Sequence, residues 1–196
     1  GNSRWHWAIQ KHNRWIFSHN NPNQKALKIL KSPLWRWAAV GAIPKDQSLA
    51  TTNCIETKDI PLLNAPEWIG VDRALASWAA FQKAKAKDIH HKGLLIADAG
   101  TILSINKIKS DGQFIGGKLL AGLELQRSSM SSRAEKLSYI KNKYLPSKEF
   151  PIYTEEAMLR GSFEALLFTL LETQRKENIP LWLCGGDSEI LFNQLK

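Results

Sequence analysis

Three short stretches carry residue types suited to moving a proton or holding a phosphate. Asp98-Ala99-Gly100-Thr101 closes the apolar run Gly93–Ala97. A glycine there lets backbone N–H groups approach a phosphate, and the neighbouring hydroxyl adds a donor. The carboxylate at the strand end can hold a cation or orient water. The same four residues also make an ordinary tight turn in which Asp98 bonds to its own backbone. Asp72, in Trp68-Ile69-Gly70-Val71-Asp72-Arg73, stands where a helical pattern begins. It is either an N-cap or a general base with Arg73 beside it as a fork for a substrate carboxylate. The two roles are compatible, because the positive end of a helix keeps a base ionised. Gly185-Gly186-Asp187 suits an adenosine or phosphate and serves equally to turn a plain strand–helix unit.

Other candidates are weaker. Thr154 is expected to cap a long helix, with Glu155 and Glu156 in its first turn. His90-His91 reads as part of an exposed loop, since zinc needs three or four ligands and no Cys or His cluster supplies the rest. Trp5, Trp7, Trp35 and Trp37 alternate within expected strands and are assigned to the core. Cys54 and Cys184 share no CxxC spacing, which fits free thiols in a reducing, cytoplasmic setting. No Walker A lysine motif, Gly-x-Gly-x-x-Gly fingerprint or Gly-x-Ser-x-Gly elbow is present, which argues against a P-loop kinase, a Rossmann dehydrogenase and an α/β-hydrolase.

The elements that must position these residues follow from periodicity. Trp5, Trp7 and Ile9 alternate with polar or small neighbours, turn at Lys11–Asn13 and continue through Trp15 and Phe17, a β-hairpin. Gln24–Lys31 is a short helix stopped by Pro33. Trp35–Ile43 reads as a buried strand. Asp72–Lys87 is a helix, Gly93–Ala97 a buried strand, and Ile102–Ile108 with Gln113–Ile115 a hairpin around Ser110-Asp111-Gly112. Gly116-Gly117 is expected to break that hairpin before a helical stretch, Leu119–Ser132. A long helix from Thr154 to about Asn178, a strand Pro180–Cys184 and a helix Ser188–Leu195 complete the chain.

The 196 residues are 43% hydrophobic and 23% charged, enough to bury a core, and no apolar run approaches the ~20 residues of a membrane span. The formal charge is +9, but the basic residues are scattered, as at Lys83, Lys85 and Lys87. A solvated basic surface is expected rather than a nucleic-acid face, and neither a nucleic acid nor a membrane is expected as partner.

In order and spacing, the motifs resemble one family. They are Gly1-Asn2-Ser3, Pro66-x-x-Ile69-Gly70-Val71-Asp72-Arg73, Asp98-x-Gly100-Thr101, Gly116-Gly117 with Ala121-Gly122, Thr154-x-Glu156-Ala157-Met158-x-x-Gly161 and Gly185-Gly186-Asp187. The chain resembles type III pantothenate kinases, the family that includes Bvg accessory factors, from about Pro66 to Ile190 and at its first residues. The resemblance implies an α/β, duplicated RNase H-like or actin-like (ASKHA) fold, with halves 1–88 and 89–196 around an ATP cleft. A glycine turn followed by a hairpin, at the N-terminus and again at Gly100-Thr101, is the internal echo that fits this plan. The implied activity is ATP-dependent phosphorylation of pantothenate to 4'-phosphopantothenate, the first step towards coenzyme A. By position, Asp72 resembles the family's catalytic base, and Gly70, Val71, Arg73 and Thr154 its pantothenate contacts. Asp98 matches the ligand of a monovalent cation, K+ or NH4+, and Thr101 an ATP contact, with Mg2+ accompanying the ATP. Gly1, Asn2, Ser3, Arg4, Trp5 and His6 correspond to the first phosphate loop, whose usual aspartate would precede Gly1, so a native start upstream of Gly1 is expected. The family implies a cytoplasmic homodimer. The alternative is a catalytically weak or inactive regulatory protein on the same fold. A nucleic-acid enzyme of the related RNase H-like fold would need clustered carboxylates rather than glycine-flanked ones.

Overall fold

The computed structural model describes residues 4–30, 33–134, 136–138 and 144–195. The chain packs as two compact units, Gly1–Trp78 and Ala79–Lys196.

In the first unit, β1 (Trp5–Lys11) and β2 (Arg14–Asn20) pair antiparallel, with Lys11 opposite Arg14. The two-residue turn is made by His12 and Asn13, both at positive φ, as a tight hairpin of this twist demands. Asn23 caps α1 (Gln24–Lys28), its side chain accepting from the Lys25 N–H at 2.9 Å. The strand expected over Trp35–Ile43 is not formed. Only Trp37 makes a bridge, to Cys54, and Trp35 is 74% exposed rather than core. An apolar run becomes a strand only where a neighbouring chain offers a ladder, and here partners exist at one position. Trp5, Trp7 and Trp37 are half-buried.

The helix α2 (Val71–Ala86) runs from the first unit into the second. The second unit is built on a four-stranded sheet of order β5-β4-β3-β6, made of β3 (Leu94–Ala99), β4 (Ile102–Ile108), β5 (Phe114–Ala121) and β6 (Leu181–Cys184). β3, β4 and β5 are antiparallel neighbours, and β6 lies parallel to β3. β3 reads as an almost unbroken apolar run because Leu94 to Ala97 are all buried, so both sheet faces are covered there. Gly116-Gly117 does not end β5. Gly116, at φ +146, sits beside the register shift at Lys107/Ile108, so the glycines accommodate an irregularity and the strand runs on to Ala121. The next helix, α3 (Leu123–Arg133), therefore starts four residues later than expected.

One sheet face packs under α4 (Thr154–Glu177). Leu159, Phe163, Leu166, Leu167 and Leu170 recur at helical spacing and join Leu95, Ala97, Leu103 and Ile105 in one core. Polar ties fix the overlap: Lys107 pairs with Glu177, and the Lys118 ammonium donates to the Thr173 hydroxyl at 3.2 Å. Asn178 ends α4 in the left-handed conformation, and α5 (Ser188–Leu195) adds Leu191 to the core.

Candidate active site

Asp72 is set by local chain geometry. The Gly70 carbonyl accepts the first helical bond, from Ala74 N–H at 3.2 Å, so Asp72 lies inside the first turn rather than at the N-cap. A Cβ on residue 70 would fall 2.5 Å from Asp72 Oδ1, so glycine at 70 leaves this rotamer of the exposed carboxylate open. The loop entering the helix is pinned from below, with the buried Thr57 hydroxyl donating to the Ile69 carbonyl at 2.8 Å and Val71 buried. The result is an exposed carboxylate in the first turn of a 16-residue helix. Its Oδ1 accepts the N–H of the half-buried Arg73 at 2.8 Å.

In the second unit, three glycine turns meet at the ends of β3 and β6. Asp98 and Cys184 stand opposite each other in the parallel pair. Gly185, at φ +95, lies so close that a Cβ there would come within 2.4 Å of Asp98 Oδ1 and 2.5 Å of the Ala99 carbonyl. The Asp187 N–H donates to that carbonyl at 2.9 Å, tying turn 185–187 to turn 99–101. On the other side, the Gly122 N–H donates to the Thr101 carbonyl at 2.9 Å, and a Cβ on 122 would collide with the Gly100 carbonyl at 2.0 Å. Backbone thus crowds the half-buried Asp98 where side chains would otherwise stand. Such a cradle fits a small cation or a phosphate. Burial, and secondarily the Asp98 charge, push the Cys184 thiol up to about 12.

A groove of ≈ 390 Å³ adjoins the turn, lined by Leu123, Gly186, Asp187, Ile190 and Asn193 among others. Its lining sets the apolar Leu123, Leu145 and Ile190 beside the carboxylates of Asp187 and Glu189 and the amides of Asn193 and Gln194. Thr154 is the first residue of α4 and exposed; Tyr153 occupies the N-cap and makes no side-chain cap bond, so the expected capping role of Thr154 is not found. In the hairpin, Arg4 and Trp5 are half-buried and His6 is exposed, its ring 6.2 Å from His19. Gly1, Asn2 and Ser3 lie outside the described residues. The sequence reading missed that Gly185 and Gly122 are spaced to admit Asp98 and the Gly100 turn. It also passed over Arg127, a buried charge in α3.

Comparison with known proteins assigns the chain to a family. Residues 49–175 match the family profile of type III pantothenate kinase, a span longer than half the chain. The chain belongs to the type III pantothenate kinase family. A type III pantothenate kinase of Synechococcus sp. (strain JA-3-3Ab) is 30% identical over 175 residues, 85% of this chain and 68% of that protein. One from Thermosynechococcus vestitus is 28% identical over 206 residues, spanning all of this chain and 78% of its own length. The fold is like that of a conserved protein from Campylobacter jejuni, described as a candidate Baf family transcriptional activator. That likeness has a TM-score of 0.61 at 18% identity and covers 92% of this chain and 81% of the other. The two Synechococcus and Thermosynechococcus relatives are named as kinases, and the α/β architecture with its mixed sheet accords with membership of that family. Among the described residues, no helix is long and apolar enough to cross a membrane.

Proposed function

We propose that the chain transfers the γ-phosphoryl group of ATP to the hydroxyl of pantothenate, forming 4'-phosphopantothenate for coenzyme A synthesis, with Asp72 as general base. The observation that carries this reading is a family match that includes the Gly70-Val71-Asp72-Arg73 segment, which sets an exposed carboxylate in the first turn of a helix. Phosphoryl transfer asks for positioning and charge neutralisation more than covalent help. Asp72 accepts the hydroxyl proton as its oxygen attacks in line. Gly70, Val71, Arg73 and Thr154 contact pantothenate, Arg73 as the cationic partner of its carboxylate.

Asp98, crowded by the Gly185 backbone, holds K+ or NH4+, and Thr101 contacts ATP beside it. The groove next to Gly186 takes the nucleoside. Residues Gly1 to His6 form the first phosphate loop in this reading. Mg2+ arriving with ATP offsets the triphosphate charge. The fold is read as the duplicated actin-like one, with halves 1–88 and 89–196, and the working form as a cytoplasmic homodimer. Measuring ADP release with Mg-ATP, with and without pantothenate, in K+ and then in Na+, tests the whole assignment. Pantothenate-dependent release favoured by K+ supports it. Release indifferent to pantothenate refutes the acceptor, and equal rates in the two salts refute the cation at Asp98. No release from a folded protein leaves the regulatory alternative as the better reading.

A further inference from the structure

The connection between α2 and β3 holds a cluster that phosphoryl transfer does not use. Asp88 sits at φ +57, a left-handed conformation that aspartate tolerates better than most side chains. The chain thereby doubles back, and Asp88 Oδ1 meets His91 Nε2 at 3.0 Å. The His90 ring stacks beside His91, 4.6 Å between centroids at 36°. His90 is half-buried rather than an exposed loop residue, and its Nδ1 is shielded from solvent with no hydrogen-bond partner. One ligand atom from each of Asp88, His90 and His91 lies within 4.8 Å of the other two. Among the described residues, this is the one place where three such side chains converge.

The plain alternative is an exposed Asp–His pair, its side chains 82% and 65% exposed, of a kind worth little to stability. That alternative accounts for Asp88 and His91. It leaves the orphaned nitrogen of His90 without a reason, and a shielded polar atom with no partner is costly.

We propose that Asp88, His90 and His91 bind a divalent transition-metal ion of the zinc class, with His90 ligating through Nδ1. Two imidazoles and a carboxylate are a donor set that Zn2+ accepts, the remaining position being left to water. Tetrahedral Zn2+ with ligands at about 2.0–2.2 Å sets the donors roughly 3.3 Å apart. The Asp88–His91 pair needs to open only slightly, and the wider spacings close by rotation of two exposed side chains.

The third ligand is already fixed. His90 packs edge-on against Phe81, 5.9 Å between centroids at 86°, and Phe81 in turn fills the space beside Gly112 that a Cβ would need. The backbone is fixed as well: Gly93 N–H donates to the His90 carbonyl at 2.8 Å, and Ile89 N–H to that of Ala84 at 3.0 Å. An ion bound here staples the end of α2 to the start of β3 and is separate from the cation assigned to Asp98.

The test is a calorimetric titration of Zn2+ alone into chelator-treated protein near neutral pH, with the visible absorption of bound Co2+ as a second readout. We expect one ion per chain and a tetrahedral Co2+ spectrum. Affinity should fall roughly 10–100-fold in His91→Ala and in Asp88→Asn. Both replaced side chains are exposed, and Asn keeps the left-handed turn, so folding is preserved while the ligand set is broken. His6 and His19 face each other across the hairpin, so His6→Ala/His19→Ala is the control and should bind as the parent does. Wild-type protein giving no heat above dilution overturns the site. So does unchanged affinity in both ligand variants, or binding lost only in the hairpin control.

Discussion

The two carboxylates proposed for the reaction are held in different ways. Asp72 is placed by its immediate neighbours: a glycine two residues back, a helix start and a loop pinned through Thr57 to Ile69. Asp98 is placed by a parallel pairing with a strand more than eighty residues later and by backbone turns from three separate parts of the chain. The surroundings differ in the same sense. The second unit has a layered core in which Phe163, Leu166, Leu170 and Leu191 are almost fully buried. The first unit's hairpin leaves Trp15, Ile16 and Phe17 roughly half or more exposed. A locally placed group survives changes elsewhere in the fold, whereas one placed by register depends on the whole sheet.

The largest expected effect falls on chemistry alone. Asp72→Asn should lower kcat by about 10²–10⁴-fold while thermal unfolding stays put, because an exposed carboxylate contributes little to packing. Parallel kinetics and melting curves check this, and a drop in stability equal to the loss of activity would end the claim of local placement. Next in size is the contrast in packing. Leu170→Ala should cost about 2–5 kcal/mol by urea unfolding, and Phe17→Ala within about 0.5 kcal/mol. Equal costs would mean that the hairpin is a core element after all.

Gly185→Ala tests the register-placed site. Its Cβ must displace Asp98 Oδ1 and the Ala99 carbonyl from a positive-φ position, so a loss of about 1–3 kcal/mol is expected. Stimulation by K+ should weaken in the same variant. Full stability with an undiminished K+ effect would separate Gly185 from Asp98.

The smallest effect is alkaline. The Cys184 thiol is raised from 9.0 to about 12 in the fold, so between those values the unfolded chain releases a proton that the folded one keeps. Stability therefore falls as pH rises through that window, and Cys184→Ala should flatten the slope in unfolding measured at stepped alkaline pH. An identical slope in the variant would place the titrating group elsewhere.

Much of the second unit was legible in advance. The Asp111-Gly112 hairpin, the strand ending at Cys184 and the helix Ser188–Leu195 follow from patterns only a few residues long. The errors came where a pattern needed something distant. Trp35–Ile43 carries strand-like residues but has no neighbour to complete a ladder, and Gly116-Gly117 did not end their strand because the register shift beside them leaves Ile115 of β5 unpaired while the ladder to β4 runs on.

The sequence by itself determined that most helices and strands of the second unit exist, where the hairpin turns at His12-Asn13 and Asp111-Gly112 fall, and which residues could act as base, cation ligand or phosphate contact. It also carried the family likeness through the order of those motifs. These depend on sterics and hydrogen bonding within a turn or two of the chain, which neighbouring residues specify. Only the tertiary structure decided that Gly185 and Gly122 press their backbones around Asp98 and the Gly100 turn. That outcome depends on which surfaces meet after long stretches of chain have been packed, and that choice is made by burial and pairing across the whole unit.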